Sequence, residues 1–223
     1  MNKVIVISAH PDDETLGVGG TLLKHKFNGD KLFWLNATKL DKEDPNLKKR
    51  IDEREKEIQE VIKKFGFEEF IQLDYITTQL NSESKLLMIP KMTQIFSRIE
   101  PEIVYVVNRS DSHSDHRYLF EAVFSASKTF RQPSIKKILM YECISETEFS
   151  APLTENIFIP NYFVDITPFL DEKINIMNIY TSEISDPPFP RSEENIRALA
   201  TLRGSTAGVI AAEAFHSLKI IDK

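Results

Sequence analysis

The sequence predicts an α/β fold, a parallel sheet whose strands are joined through helices by right-handed crossovers. Three observations carry this. Short apolar runs rich in β-branched residues recur at 3–8, 31–37, 102–107 and 137–143, separated by stretches of helical period. Two of the runs, 4–7 and 103–107, lead straight into loops dense in histidine and aspartate, at the strand ends where open α/β sheets bind ligands. No repeat, low-complexity stretch or linker interrupts the 223 residues, so residues 1–223 are expected to form one domain.

Taken in order, 3–8 is a buried strand because Val4, Ile5, Val6 and Ile7 leave it no polar face. A helix follows from Thr15 to about His25, opened by carboxylates that suit a helix N-terminus. Gly17, Gly19 and Gly20 lie inside it. A dinucleotide fingerprint would need glycine at Leu22, so these glycines are read as close packing of helix on sheet. Strand 31–37 carries Trp34 into the core. From Pro45 to about Phe65 a long helix has an apolar stripe of Leu47, Ile51, Ile58 and Ile62, its many charges expected on a solvated face. A short strand at 70–75 and a helix at 84–99 come next, and Pro101 breaks the chain before strand 102–107. A helix at 115–130 and a strand at 137–143 complete the alternation. From 145 to 168 the pattern turns irregular, with aromatics and prolines but few charges, as expected of a site wall or an interface. From 169 to 223 helical texture returns, and His216 is expected beside Glu213 at helical spacing.

The balance of 28 basic against 34 acidic residues, net charge -6, fits a soluble protein and argues against a nucleic-acid partner. The apolar runs fall far short of a membrane span, and no signal peptide is visible at Met1-Asn2-Lys3. The single Cys143 excludes an internal disulfide, fits a reducing compartment and reads as a small buried residue. A cytoplasmic protein is expected. A homo-oligomer stays open, with Phe158, Tyr162, Phe163 and Phe189 available for an interface.

Behind the first strand stand His10, Asp12, Asp13 and Glu14; behind the strand at 103–107 stand Asp111, His113, Asp115 and His116. So much acid beside a core strand calls for a cation. In a parallel sheet both loops emerge on one edge, where His10, Asp13 and His116 would supply two imidazoles and one carboxylate, the set of a catalytic zinc with an open position. Pro11 holds His10 extended. Asp12, between the ligands, is placed to act as general base on a water that zinc acidifies. Glu14 is expected to orient His10 or cap the helix; Asp115 is expected to cap the next helix or fix a histidine tautomer. Each loop taken alone also reads as an acidic helix N-terminus or a polar cap.

The segment Ala9-His10-Pro11-Asp12-Asp13-Glu14 and the later Asp111-Ser112-His113-Ser114-Asp115-His116-Arg117 resemble the LmbE-like (PIG-L) family of zinc-dependent de-N-acetylases. Tyr141-Glu142, Pro190-Arg191-Ser192, Arg203-Gly204 and 212–215 are similar to that family's later blocks. Many members carry proline where this chain has Ser114, a change that removes no ligand. The resemblance implies a Rossmann-like three-layer sandwich with a mostly parallel sheet, Zn2+ on His10, Asp13 and His116, Asp12 as base, and a cationic His113 stabilising the oxyanion. It implies hydrolysis of an N-acetyl group from an N-acetylated amino sugar or its conjugate, a small-molecule substrate.

Fe2+ is an alternative ion, since two histidines and one carboxylate also form a facial triad. A sugar- or nucleotide-binding protein that holds a divalent ion without turnover is the reading from another class. Arg109, Asp111 and Arg191 are candidate substrate contacts, whereas Arg203 is expected in a surface ion pair and His25 on a helix face.

Overall fold

The computed structural model describes residues 1–222. Five strands run parallel: β1 (Lys3–Ser8), β2 (Lys31–Lys39), β3 (Glu69–Ile76), β4 (Ile103–Val107) and β5 (Lys137–Tyr141). They alternate with helices α1 (Asp13–Phe27), α2 (Lys48–Phe65), α3 (Ser82–Ile99) and α4 (Ser114–Ala126). After β5 come β6 (Tyr162–Asp165), α5 (Leu170–Met177), α6 (Glu193–Ala207) and β7 (Ala212–Ile220). The sheet order is β3-β2-β1-β4-β5-β7-β6, with β7 antiparallel to both neighbours. This is the Rossmann-like three-layer α/β sandwich with a mostly parallel sheet that the sequence implies.

From β1 the chain winds outward through β2 to β3, then returns to β4 and winds the other way. Right-handed crossovers therefore put α1 and α2 on one face and α3 and α4 on the other. The reversal falls between β1 and β4, paired from Val4↔Ile103 to Ile7↔Val106, so the loops after these strands open side by side at the switch point. Both strands are buried on both faces, consistent with their unbroken apolar runs.

The last third departs from expectation. Residues 212–220 form a strand, and the irregular stretch contains the edge strand β6. In β7 the alternate side chains point to opposite faces, so His216 does not stand beside Glu213. Glu213 turns instead toward α1: its carboxylate accepts Gly20 N–H (2.8 Å), Thr21 N–H (2.7 Å) and the Lys173 ammonium (2.7 Å). Lys173, on α5, also donates to the Leu16 carbonyl at 2.7 Å. Such an approach needs small residues on α1. A Cβ on Gly17 would overlap the ring of Tyr141, and one on Gly20 would run into Ile166. The glycines thus serve packing, as the sequence suggests. Residues 150–153 and 156–158 wall a second depression with α6.

Because Lys173 and Glu213 are both buried, Glu213→Ala leaves an ammonium and two amides without their acceptor. We expect unfolding stability to drop by about 3–5 kcal/mol, measured as the urea midpoint; a loss below ~1 kcal/mol would show that this pair does not anchor α1.

Candidate active site

The loops after β1 and β4 bring His10, Asp13, His113, Asp115 and His116 together. Two ligand sets have their donor atoms within 4.8 Å of one another, His10–Asp13–His116 and His10–His113–Asp115. Their chemistry differs. In the second set the atoms are already engaged: Asp115 Oδ2 accepts from Thr78 N–H (2.7 Å) and meets His10 Nε2 (3.0 Å), while His113 Nδ1 accepts Asp115 N–H (3.1 Å). In the first set His116 Nε2 is buried without a hydrogen-bond partner and lies 3.3 Å from Asp13 Oδ2, too poorly aligned to bond it. A buried imidazole nitrogen facing a carboxylate in this way fits a cation, and the donor set suits zinc or iron.

Each imidazole of the first set is held from behind. Asp111 Oδ2 bonds His116 Nδ1 at 2.8 Å, which leaves Nε2 as the free donor; Asp115 bonds His10 Nε2, which leaves Nδ1 on the side of Asp13. This carboxylate–histidine pairing fixes tautomer and ring orientation. Asp115 thus fills the tautomer-fixing role expected of it, and Glu14 does not orient His10. Glu14 Oε2 instead accepts the Asp12 N–H at 3.0 Å, and its Oε1 receives the hydroxyls of Thr15 (2.6 Å) and Tyr180 (2.8 Å). Burial pushes the Glu14 carboxyl up to about 7.

Asp12 and Asp13 are adjacent yet electrostatically opposite. Burial raises Asp12 well above the usual carboxylate range, and the charges of Asp13 and Glu183 add to it. Burial acts on Asp13 as well, but His116 and His10 outweigh it and hold Asp13 well below that range; its Oδ2 accepts the N–H groups of Ala9 and His10, both at 2.9 Å. Asp12 sits at the N-cap of α1 with φ 131°, in the region that disfavours side chains, costing about 1–3 kcal/mol. The Glu14 carboxylate on its N–H and the Arg54 guanidinium on the Pro11 carbonyl (2.6 Å) keep it there.

A cavity of about 610 Å3 opens from this cluster across the ends of β2 and β3 to α2. Asp12, His113 and Arg191 line it. Two expected contacts are placed elsewhere. Asp111 is fully buried, its carboxylate taken by His116, Asn108 and Thr147. Arg109 is exposed outside the cavity and bonds the Glu155 carbonyl. The cationic state expected for His113 is also corrected. Its Nδ1 is an acceptor at the α4 N-cap, and burial together with His10 lowers its proton affinity, so the neutral Nε2–H tautomer is the one that fits. Cys143 is buried with its thiol pushed up, an inert packing residue as expected. Arg203 makes its ion pair with Glu142 (2.6 Å), and His25 bridges Asp30 and the Tyr105 hydroxyl beneath the helix face.

Sequence reading missed Arg54 and Glu183. Arg54 is buried on what reads as a solvated helix face. The signal was present, since Arg54 lies four residues before Ile58 and Arg50 eight, on the same stripe. Glu183 joins Arg50, Arg54 and Arg191 from a turn after α5, and no local pattern marks it.

The model of the GlcNAc-PI de-N-acetylase (PIG-L) family matches residues 5–127, more than half of the chain. Diacetylchitobiose deacetylase of Thermococcus kodakarensis is 23% identical over 218 residues, 93% of this chain and 80% of that protein. The uncharacterized deacetylase YaiS of Escherichia coli is 29% identical over 167 residues, 73% of this chain and 81% of that protein. The solved N,N'-diacetylchitobiose deacetylase of Pyrococcus horikoshii superposes with a TM-score of 0.77 at 24% identity, covering 98% of this chain and 84% of that one.

A metal ion bound at His10, Asp13 and His116 must displace protons, because Asp13 and Asp111 raise the proton affinity of His116 well above its ordinary value despite burial. Zinc affinity is therefore expected to strengthen from pH 6 to pH 8, and Asp111→Asn to weaken it about 10–100-fold, both read by chelator competition. Unchanged affinity in Asp111→Asn would remove Asp111 from the site.

Proposed function

The chain belongs to the PIG-L family, and on that premise we propose that it is a zinc-dependent N-deacetylase that hydrolyses the acetamide of an amino sugar or its conjugate. The observation that carries this is the orphaned His116 Nε2 facing Asp13 and His10, with a buried carboxyl of raised proton affinity, Asp12, beside them on the cavity wall. We further infer that residues 1–223 act as one domain, since one sheet draws strands from both ends of the chain.

His10, Asp13 and His116 would hold the ion; once bound, zinc acidifies water toward a pKa of ~7 and polarises a carbonyl. Asp12 takes the proton of the attacking water on its carboxylate as the water oxygen bonds the acetamide carbon. It then delivers that proton to the departing nitrogen, so that one water and one amide become acetic acid and an amine, which part as acetate and ammonium once the acid's proton is transferred. A carboxyl of raised proton affinity suits this, because it must hold a proton between the two steps. Neutral His113 donates a hydrogen bond from Nε2 to the oxyanion. Arg191, on the cavity wall, is placed to contact the substrate.

Asp12→Asn is expected to lower kcat about 10²–10⁴-fold while zinc still binds, measured as acetate release against metal content. Near-normal turnover with metal in place would sink the base assignment. For His113, a lowered proton affinity means the neutral ring prevails at and above ordinary imidazole values. Activity should accordingly persist as pH rises from 6 to 8, and His113→Gln should retain more of it than His113→Ala; a loss that tracks imidazole deprotonation would restore the cationic role.

A further inference from the structure

Away from the histidines, five cationic side chains line the cavity: Lys39, Lys42, Arg50, Arg54 and Arg191. All five have a carboxylate partner. Lys39 pairs with Asp74 at 2.6 Å and Lys42 with Glu55 at 3.2 Å, but Asp74, Lys42 and Glu55 are more than half exposed, so these pairs swing aside at little cost. The arginines are different. Glu183 Oε1 receives Arg50 (2.7 Å) and Arg54, and Oε2 receives Arg191 (3.0 Å). None of these four side chains is more than a quarter exposed. Arg54 is further held by Glu57 at 3.2 Å, and Arg191 by the Ser145 hydroxyl (3.0 Å) and the Glu183 carbonyl (2.8 Å).

We propose that Glu183 is a specificity-determining residue: by holding three arginines on one carboxylate, it tunes the cavity wall to neutral, hydroxyl-rich substrates and against conjugates bearing phosphate or carboxylate. This rests on the deacetylase reading of the same cavity. Without Glu183 the trio would be a strong anion site, since guanidinium forks match phosphate and carboxylate oxygens. With it, an incoming anion meets guanidiniums already engaged and a like charge at hydrogen-bond range. A sugar hydroxyl meets no such conflict. It donates to a free lone pair of the carboxylate and accepts from a spare guanidinium N–H, leaving the ion pairs in place.

The test compares two ligands that differ in charge, the methyl glycoside of N-acetylglucosamine and N-acetylglucosamine 1-phosphate. Binding to the zinc-loaded protein is measured by calorimetry, with inorganic phosphate as the control for direct capture by the metal, and acetate release is followed in parallel. The neutral glycoside should bind at least tenfold more tightly. Glu183→Gln should shrink that ratio tenfold or more, and Arg50→Gln, which removes a cation and keeps Glu183, should widen it. The second variant keeps the proposal testable if the first fails to fold. Since Glu183 also acts on Asp12, its loss shifts turnover of both substrates alike, and the ratio isolates recognition. Equal or tighter binding of the phosphate by the parent protein, or a ratio unmoved in both variants, overturns the proposal. Selective binding of the neutral glycoside with acetate released from neither ligand upholds it and overturns the deacetylase reading instead.

Discussion

Five carboxylates buried at one end of a sheet are the constraint around which this molecule is organised. Asp12, Asp13, Glu14, Asp111 and Asp115 are all withdrawn from solvent, and an uncompensated buried charge is far costlier than any single packing contact. The surrounding chain satisfies four of them, through backbone amides on Asp13, hydroxyls on Glu14, and imidazoles on Asp111 and Asp115. The backbone bends to do it. Asp12, Thr78 and Ser145, three of the four non-glycine residues with positive φ among the described residues, all adjoin this network. Thr78 gives its amide to Asp115, and the Ser145 hydroxyl receives Arg191. Strain collected here, and almost nowhere else, is the mark of geometry held for chemistry rather than for stability.

The same constraint explains how neighbouring acids acquire different duties. Asp12 and Asp13 share a turn, yet only Asp13 is surrounded by imidazoles and amide N–H groups, while Asp12 faces the cavity among other acids. Environment sets the proton affinities of two like groups apart. The fold supplies the mechanical basis of that division: both loops leave the sheet where strand order reverses.

Much of this is legible in sequence because it is local. The β1 and β4 runs and the loops behind them lie within a few residues of each other, so strand, turn and acid can be read together. What escaped is non-local. Residues 212–220 mix alanine, glutamate, leucine and lysine with few β-branched residues, and only their place between β5 and β6 makes them a strand. Asp111 reads as a substrate contact, whereas in the fold its carboxylate is buried against His116. Arg54 hides among eleven other charges on its helix, and Glu183 meets it from 129 positions away. Charges are poor predictors of burial because the partner that licenses it is chosen by tertiary structure.

The clasp between β7 and α1 gives the two loops a distant dependency. The helix that delivers Asp12 and Asp13 is fastened by Glu213 and by Lys173, which Glu213 neutralises, and the carboxylate reaches Gly20 across 193 positions of sequence. A polypeptide cut before β7 would carry every histidine and aspartate of the two loops and lack the clasp that seats their helix.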